Sequence, residues 1–294
     1  MKKTIISCVL FLTAVTAFSQ TPMKTAAEAK LSASDLAVKI ADRILATTTY
    51  EFKNTKTGKT YKSVKNLPLD MNVKVACKYN NWHYTNGVTH IALMELADKT
   101  GAKKYDDYVL KNMNFVFNEG NLDFFKKQYD QAMKNEGWYG VRKLSWHMIF
   151  RGKRLDDNGP MGASLIDLQM KHPNNSFLNY INETAEHLNY GEPRLADGTI
   201  ARIWPHENTI WADDAFMAIS FLARMAKMTG DMSYINDAAN QVIKYHKYLW
   251  CPEKRILYHC YHTDNKEHGV AHWSRANGWI FMATAGFPAR MPED

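Results

Sequence analysis

Cysteine is scarce. The 294 residues hold 4, and Cys8 falls inside the leading apolar run. The other three, Cys77, Cys251 and Cys260, are an odd set, which argues against a disulfide framework. Cys251 and Cys260 could pair, but nothing in the sequence requires it. Past the leading segment no apolar run approaches the ~20 residues that a membrane-spanning helix needs, so membrane insertion is not expected. Basic stripes are missing too: the net charge is +7, yet Lys and Arg are scattered among Asp and Glu, and no nucleic-acid partner is expected. No serine sits in a nucleophile elbow and no Gly-rich loop could cradle phosphate. The late histidines, including His259, His262, His268 and His272, match no standard zinc ligand set; neither metal nor cofactor is expected. Families of alternating strand segments are also absent, which excludes an all-β fold.

What is present is a soluble composition, 46% hydrophobic and 23% charged, with aromatics at 12%. That many rings furnish either a large core or an aromatic-lined cleft. The chain opens like a secretory leader, with Lys2-Lys3 as basic region, Ile5 to Ala17 as apolar region and Ala17-Phe18-Ser19 as cleavage site. We therefore expect a signal peptide over 1–19, a tether over 20–31, a catalytic domain over 32–294, and a periplasmic or secreted location. Ser32 and Asp35 form a capping-box pattern ahead of Leu36, Ile40 and Ile44. Helical spacing recurs at Tyr105 to Val116, at Phe177, Ile181, Ala185 and Leu188, and at Ile235, Ala239, Val242, His246 and Leu249. Residues 50–80 and 250–270 are the least regular, suiting long loops or short strands.

A weak repeat organises the helices. Thr100-Gly101, His172-Pro173 and Thr229-Gly230 are breakers, each with an aromatic (Tyr105, Phe177, Tyr234) five positions after its first residue. Each reads as the turn of a helical hairpin. Counting back 16 residues from each first residue reaches Tyr84, Asp156 and Asp213, at the start of each hairpin's first helix. Hairpins packed in the same sense would bring these residues, and the positive helix ends, to one face. The expected fold is all-α, an α/α toroid. The same rule applied from Arg275 places a fourth turn at Met291, beside Pro292, so the toroid reads as truncated at the C-terminus.

Four clusters fall on that face. Trp82-His83-Tyr84-Thr85-Asn86-Gly87 could be a packed helix start. Leu155-Asp156-Asp157-Asn158-Gly159 and Trp211-Ala212-Asp213-Asp214-Ala215-Phe216-Met217 each carry two acids, which either cap helices or supply converging carboxylates for acid–base work; Trp204-Pro205-His206-Glu207 precedes the second. Trp273-Ser274-Arg275-Ala276-Asn277-Gly278-Trp279 offers a carboxylate-binding fork between stacking planes, or a structural arginine.

Taken in this order, the four clusters resemble glycoside hydrolase family 105 and the related family 88, the unsaturated rhamnogalacturonyl and glucuronyl hydrolases, from Trp82 to Trp279. The resemblance implies an (α/α)6 toroid and no cofactor. It implies Asp213 as catalytic acid and Asp156 as second carboxylate. Arg275 and Trp279 would hold an unsaturated uronate, with His259, Tyr84 and Trp211 lining the pocket and Arg202 as a further substrate contact. The implied substrate is an acidic oligosaccharide left by a polysaccharide lyase, of rhamnogalacturonan or pectin type. Asp213 would protonate C4 of its terminal 4,5-unsaturated uronic acid while water adds at C5. Two alternatives stay open: a degenerate sugar-binding paralogue, and another α/α-toroid enzyme such as a polysaccharide lyase, with Tyr84, His206 or His259 as base. The oligomeric state is open.

Overall fold

The computed structural model describes residues 32–152 and 154–287. The expected leader, the tether and the fourth turn at Met291 lie outside the described residues. The chain divides into two compact units, 1–44 and 45–294. In the first, helix α1 (Ala33–Thr47) begins. Its capping box forms: the Asp35 N–H donates to Ser32 Oγ and the Ser32 N–H to Asp35 Oδ2, both at 3.1 Å. Of the expected apolar stripe Leu36 and Ile40 are exposed and Ile44 is half-buried, and Ala41 is the buried residue of the helix.

The second unit is built on helical hairpins. Short strands β1 (Phe52–Asn54), β2 (Thr60–Tyr61) and β3 (Val73–Val75) form an antiparallel sheet in the order β2-β1-β3. Helices α2 (Tyr84–Thr100) and α3 (Lys104–Val116) make the first hairpin. Helix α4 (Glu119–Val141), bent at Gly137, and the single turn α5 (Met148–Arg151) lead to the second, α6 (Leu155–Lys171) and α7 (Asn175–Glu186). A π turn over His187–Gly191 extends α7. Strand β4 (Thr209–Trp211) feeds the third hairpin, α8 (Ala212–Thr229) and α9 (Met232–Leu249). Then come β5 (Trp250–Cys251), β6 (Ile256–Leu257), β7 (Cys260–His262), β8 (Glu267–His268) and α10 (Ser274–Gly286). The irregular stretches thus hold short strands.

The turns fall where the breakers are. Gly101 and Gly230 adopt left-handed conformations, φ 70° and 73°, and donate their N–H groups to Ala97 and Ala226 oxygens at 2.8 Å, the usual way to satisfy a helix's last carbonyls. The second helices turn their apolar stripes inward, and on α3 Tyr105, Tyr108, Val109, Asn112, Met113 and Val116 are buried. On α9 the buried stripe is Ile235, Ala238, Gln241, Tyr245 and Leu249, whereas His246 is exposed. Apolar counting missed it because Gln241 is buried for its amide. That amide accepts from the Ile200 N–H at 3.0 Å and donates to the Gly198 oxygen at 3.0 Å.

The first helices, α2, α6, α8 and α10, lie side by side in chain order. Their contact is close because two glycines allow it. A Cβ at Gly87 would sit 2.3 Å from the Pro160 carbonyl carbon of α6, and one at Gly159 would sit 2.2 Å from the Met217 oxygen of α8. Helix α8 is buried along Ala212–Ala226, as a helix with neighbours on every side must be. No described helix is long and apolar enough to cross a membrane. Cys77, Cys251 and Cys260 are free thiols.

Candidate active site

The shared direction of the first helices puts their N-termini at one end. Tyr84 begins α2; Asp156, Asp213 and Arg275 are each the second residue of α6, α8 and α10. The acids do not act as caps. The N-cap positions belong to Arg154 and Trp211, neither of which makes a side-chain cap bond.

Consecutive helix residues point about 100° apart, so each acid pair divides its tasks. Asp157 is buried and gripped by both Arg151 Nε and Nη2; burial pushes its carboxyl up and Arg151 opposes that. Asp214 is also buried and accepts from Arg202 Nε at 2.7 Å and Nη2 at 2.6 Å. Burial pushes Asp214 up to about 6, against the pull of Arg202. Burial works against the charge of Arg202, but Asp214, Asp156 and Asp213 outweigh it and raise that group. The first acid of each pair faces elsewhere. Asp213 Oδ2 meets His259 Nε2 at 3.1 Å, and its Oδ1 lies 3.8 Å from Arg275 Nη2. Asp156, with its side chain 35% exposed, lies 3.5 Å from Arg202 Nη2.

His259 arrives from distant sequence because β7 pairs with β4, Trp211 opposite Cys260. The Ala212 N–H donates to the His259 oxygen at 2.9 Å, which seats the ring beside the start of α8. Rings then enclose the acid. Trp211 and Trp273 stand edge-on to His259, with centroids at 4.8 and 5.1 Å. Trp279 lies between Tyr84, edge-on at 6.2 Å, and Phe216, tilted at 5.0 Å. Arg275 rests on the Trp273 ring at 3.8 Å with nearly half its side chain exposed, so its fork is open to a ligand. The indole nitrogens of Trp211 and Trp279 are buried without a partner among the described residues. Buried donors of this kind call for a water or ligand oxygen.

The structure thus brings Tyr84, Asp156, Arg202, Trp211, Asp213, His259, Arg275 and Trp279 into one constellation. Arg202 differs from the rest: its fork is filled by Asp214 and its plane covers Trp211 at 4.3 Å. Sequence reasoning took Asp157 and Asp214 only as members of their doublets and missed Arg151, the partly buried partner of Asp157. It also missed a cavity of about 190 Å³ beside Asp156, lined by Arg154, His187, Glu192, Arg202, Trp204 and Asp214, among others. Apart from the acidic doublets, no local motif marks these residues. A larger groove of about 320 Å³ between α2, α8 and α10 is mainly apolar and contains none of the site acids.

The late histidines brace the segment that carries His259. His268 Nε2 contacts the Tyr248 oxygen at 2.8 Å and stacks on Tyr258, and His272 contacts the Leu257 oxygen at 3.3 Å. No group of three or more potential metal ligands occurs among the described residues.

The sequence profile described as Glycosyl Hydrolase Family 88 matches residues 56–294. An unsaturated rhamnogalacturonyl hydrolase of Bacillus subtilis, YesR, is 25% identical over 172 residues, 53% of this chain and 48% of the relative. A family 105 glycoside hydrolase of C. acetobutylicum superposes with a TM-score of 0.59 at 21% identity, over 89% of this chain and 60% of that one. A possible family 105 member from Salmonella enterica also gives 0.59, at 16% identity, over 90% and 62%. The chain therefore spans about half to three fifths of the length of these relatives, and within that span its fold is that of the α/α toroids.

Proposed function

The chain belongs to glycosyl hydrolase family 88, and from that premise we propose that it removes the 4,5-unsaturated uronic acid from the non-reducing end of lyase-generated oligosaccharides. The observation that carries this reading is the setting of Asp213: buried, bonded to His259, and 3.8 Å from the exposed guanidinium of Arg275. A proton donor beside an open carboxylate fork suits a substrate whose own carboxylate is conjugated to the bond being protonated.

In this mechanism Arg275 takes the uronate carboxylate and Trp279 packs against the ring. Asp213 gives its proton to C4 of the enol ether, and water adds at C5. The resulting hemiketal opens, the hemiacetal left at C1 releases the neighbouring sugar, and a 5-keto uronate remains. His259 orients Asp213 and can return a proton to it. The similarity to the B. subtilis enzyme supports rhamnogalacturonan fragments as the substrate class, and the basic–apolar leader supports action outside the cytoplasm.

The test follows the ultraviolet absorbance of the conjugated alkene-carboxylate, which hydration destroys. The full chain should bleach an unsaturated rhamnogalacturonan disaccharide, and Asp213→Asn should lower the rate at least 10²-fold, the lower end of what a positioned acid contributes. Full activity in that variant would overturn the assignment. A lyase based on Tyr84, His206 or His259 would create absorbance instead, and a sugar-binding paralogue would leave it unchanged.

A further inference from the structure

Asn277 has no part in the reaction as drawn above, yet both ends of its side-chain amide are engaged. It is the fourth residue of α10, a helical position that asparagine does not favour. What it does there is set by β6. That strand belongs to a two-stranded sheet, and the Tyr258 N–H bonds to the Leu249 oxygen, just ahead of β5, at 2.8 Å. Hydrogen bonding alternates along an antiparallel pair, so the N–H and C=O of the preceding residue, Leu257, point away from β5. Asn277 fills that edge as a further strand would. Its Oδ1 accepts from the Leu257 N–H at 2.8 Å, and its Nδ2 donates to the Leu257 oxygen at 2.9 Å and to the Trp273 oxygen at 3.2 Å. Only a side-chain amide carries an acceptor and a donor side by side in this way. Leu257 is buried, so its N–H has no ready substitute for that partner.

We propose that Asn277 is a positioning residue, which by gripping Leu257 seats His259, two residues on, against Asp213; as a statement about rate this rests on the unsaturated-uronyl reading. Trp273 and Asn277, four residues apart, share a face of α10. That face meets the segment carrying His259, with the Trp273 ring edge-on to His259 and the Asn277 amide on Leu257. Arg275 and Trp279 each follow by two residues, about 200° round the helix. One helix therefore sets both the fork for the uronate and the partner of the acid. The backbone of His259 has ties of its own, its N–H to the Ala271 oxygen and its oxygen to the Ala212 N–H, both at 2.9 Å. His272 Nδ1 also contacts the Leu257 oxygen at 3.3 Å. These ties remain when Asn277 is replaced, so the segment stays folded. The Leu257 N–H, however, loses its acceptor and must shift to reach water, and that movement carries the His259 ring off its 3.1 Å contact with Asp213.

Two measurements on the full chain test this, one of them without turnover. Histidine labelled with the heavy nitrogen isotope gives ring-nitrogen resonances, and the one that His259→Gln removes belongs to His259. In otherwise unsubstituted chain Asp213→Asn should shift that resonance. In Asn277→Ala it should already be displaced, and adding Asp213→Asn should leave it nearly where it is, because the contact is gone. In the bleaching assay Asn277→Ala should lower kcat about ten- to hundredfold, the cost of a misplacement near 1 Å. KM should stay within about threefold, since Arg275 and Trp279 still hold the uronate. In a chain already carrying His259→Gln the same substitution should cost less than about twofold, because a residue that acts through His259 has nothing left to position. Asn277→Asp, which has the same shape but sets an oxygen against the Leu257 oxygen, takes the place of the alanine variant if that one does not fold. A His259 resonance that still answers to Asp213→Asn, or equal rate losses with and without His259, would overturn the proposal. The two readings separate cleanly. If unsubstituted chain bleaches no substrate while the resonances behave as stated, hydration falls and the positioning stands. If it bleaches and the two rate losses multiply independently, the positioning falls and hydration stands.

Discussion

Arg202 is the residue whose removal best separates a structural task from a substrate contact. Its guanidinium closes two short bonds on Asp214, whose side chain is 2% exposed. Arg202→Ala would leave that carboxylate in the interior with no cation. Breaking a buried pair on one side costs about 3–5 kcal/mol, because the remaining charge has lost both water and partner. The lost stack on Trp211 adds about 0.5–1 kcal/mol. Urea denaturation near neutral pH should therefore show a loss of about 4 kcal/mol. The loss should shrink on acidification. Asp214 already titrates near 6 with Arg202 in place, and without it the folded-state value rises further above the unfolded one. A carboxyl raised in this way contributes stability at low pH that is lost as pH rises through its folded value, so protonation removes the penalty. Arg202→Met with Asp214→Leu should recover most of the stability, since an apolar pair leaves no charge to solvate. If Arg202→Ala instead stayed within about 0.5 kcal/mol of the unsubstituted protein, as exposed positions do, while substrate binding collapsed, the anchoring argument would be wrong and Arg202 would be a substrate contact.

Two further outcomes are expected. Gly159→Ala must open the α6–α8 contact by more than 1 Å, because its Cβ would meet the Met217 backbone oxygen at 2.2 Å. It should destabilise by about 1–3 kcal/mol and, by separating Asp156 from Asp213, slow the bleaching reaction roughly 10²-fold; unchanged urea midpoint and rate would refute the close approach. Burial pushes Glu192 up to about 8 in the folded chain from its ordinary 4.5, so between those values the folded state holds a proton that the unfolded state has released. The stability this contributes is complete below the lower value and lost as pH rises through the upper one. At ~1.4 kcal/mol per pH unit, unfolding free energy should fall by about 3 kcal/mol between about pH 6 and 9. Glu192→Gln should flatten that slope, and parallel slopes would count against the buried acid.

The hairpins were legible because their signals are local. A glycine able to take positive φ at Gly101 and Gly230, and a proline after His172, stop a helix whatever surrounds them. Once those turns are fixed, the equal counts back to Tyr84, Asp156 and Asp213 follow from helices of similar length, and the structure starts α2, α6 and α8 at Tyr84, Leu155 and Ala212. The stripe of α9 was shifted because it packs on polar backbone through Gln241 and Tyr245, and counting apolar residues cannot register a side chain buried for its hydrogen bonds.

Within each acidic doublet the sequence offers two equivalent carboxylates, and what distinguishes them lies elsewhere in the chain. Asp157 is claimed by Arg151, six residues earlier, and Asp214 by Arg202, brought across by its bridge to Thr209. Each of these arginines neutralises the inner acid. That leaves the outer one, Asp156 or Asp213, to the open end of the helix, where a ligand can reach it. The doublets thus hold one carboxylate at each helix start while the other is paired to an arginine. The second acid, buried and locked to a partly buried guanidinium, fixes the helix's rotation, and the rotation aims the first. Weakening the inner pair should therefore disturb the outer acid's aim before it disturbs the fold, and an Arg202→Lys chain that keeps the charge but loses the two-point grip should lose bleaching rate by a larger factor than its lost stability alone would account for.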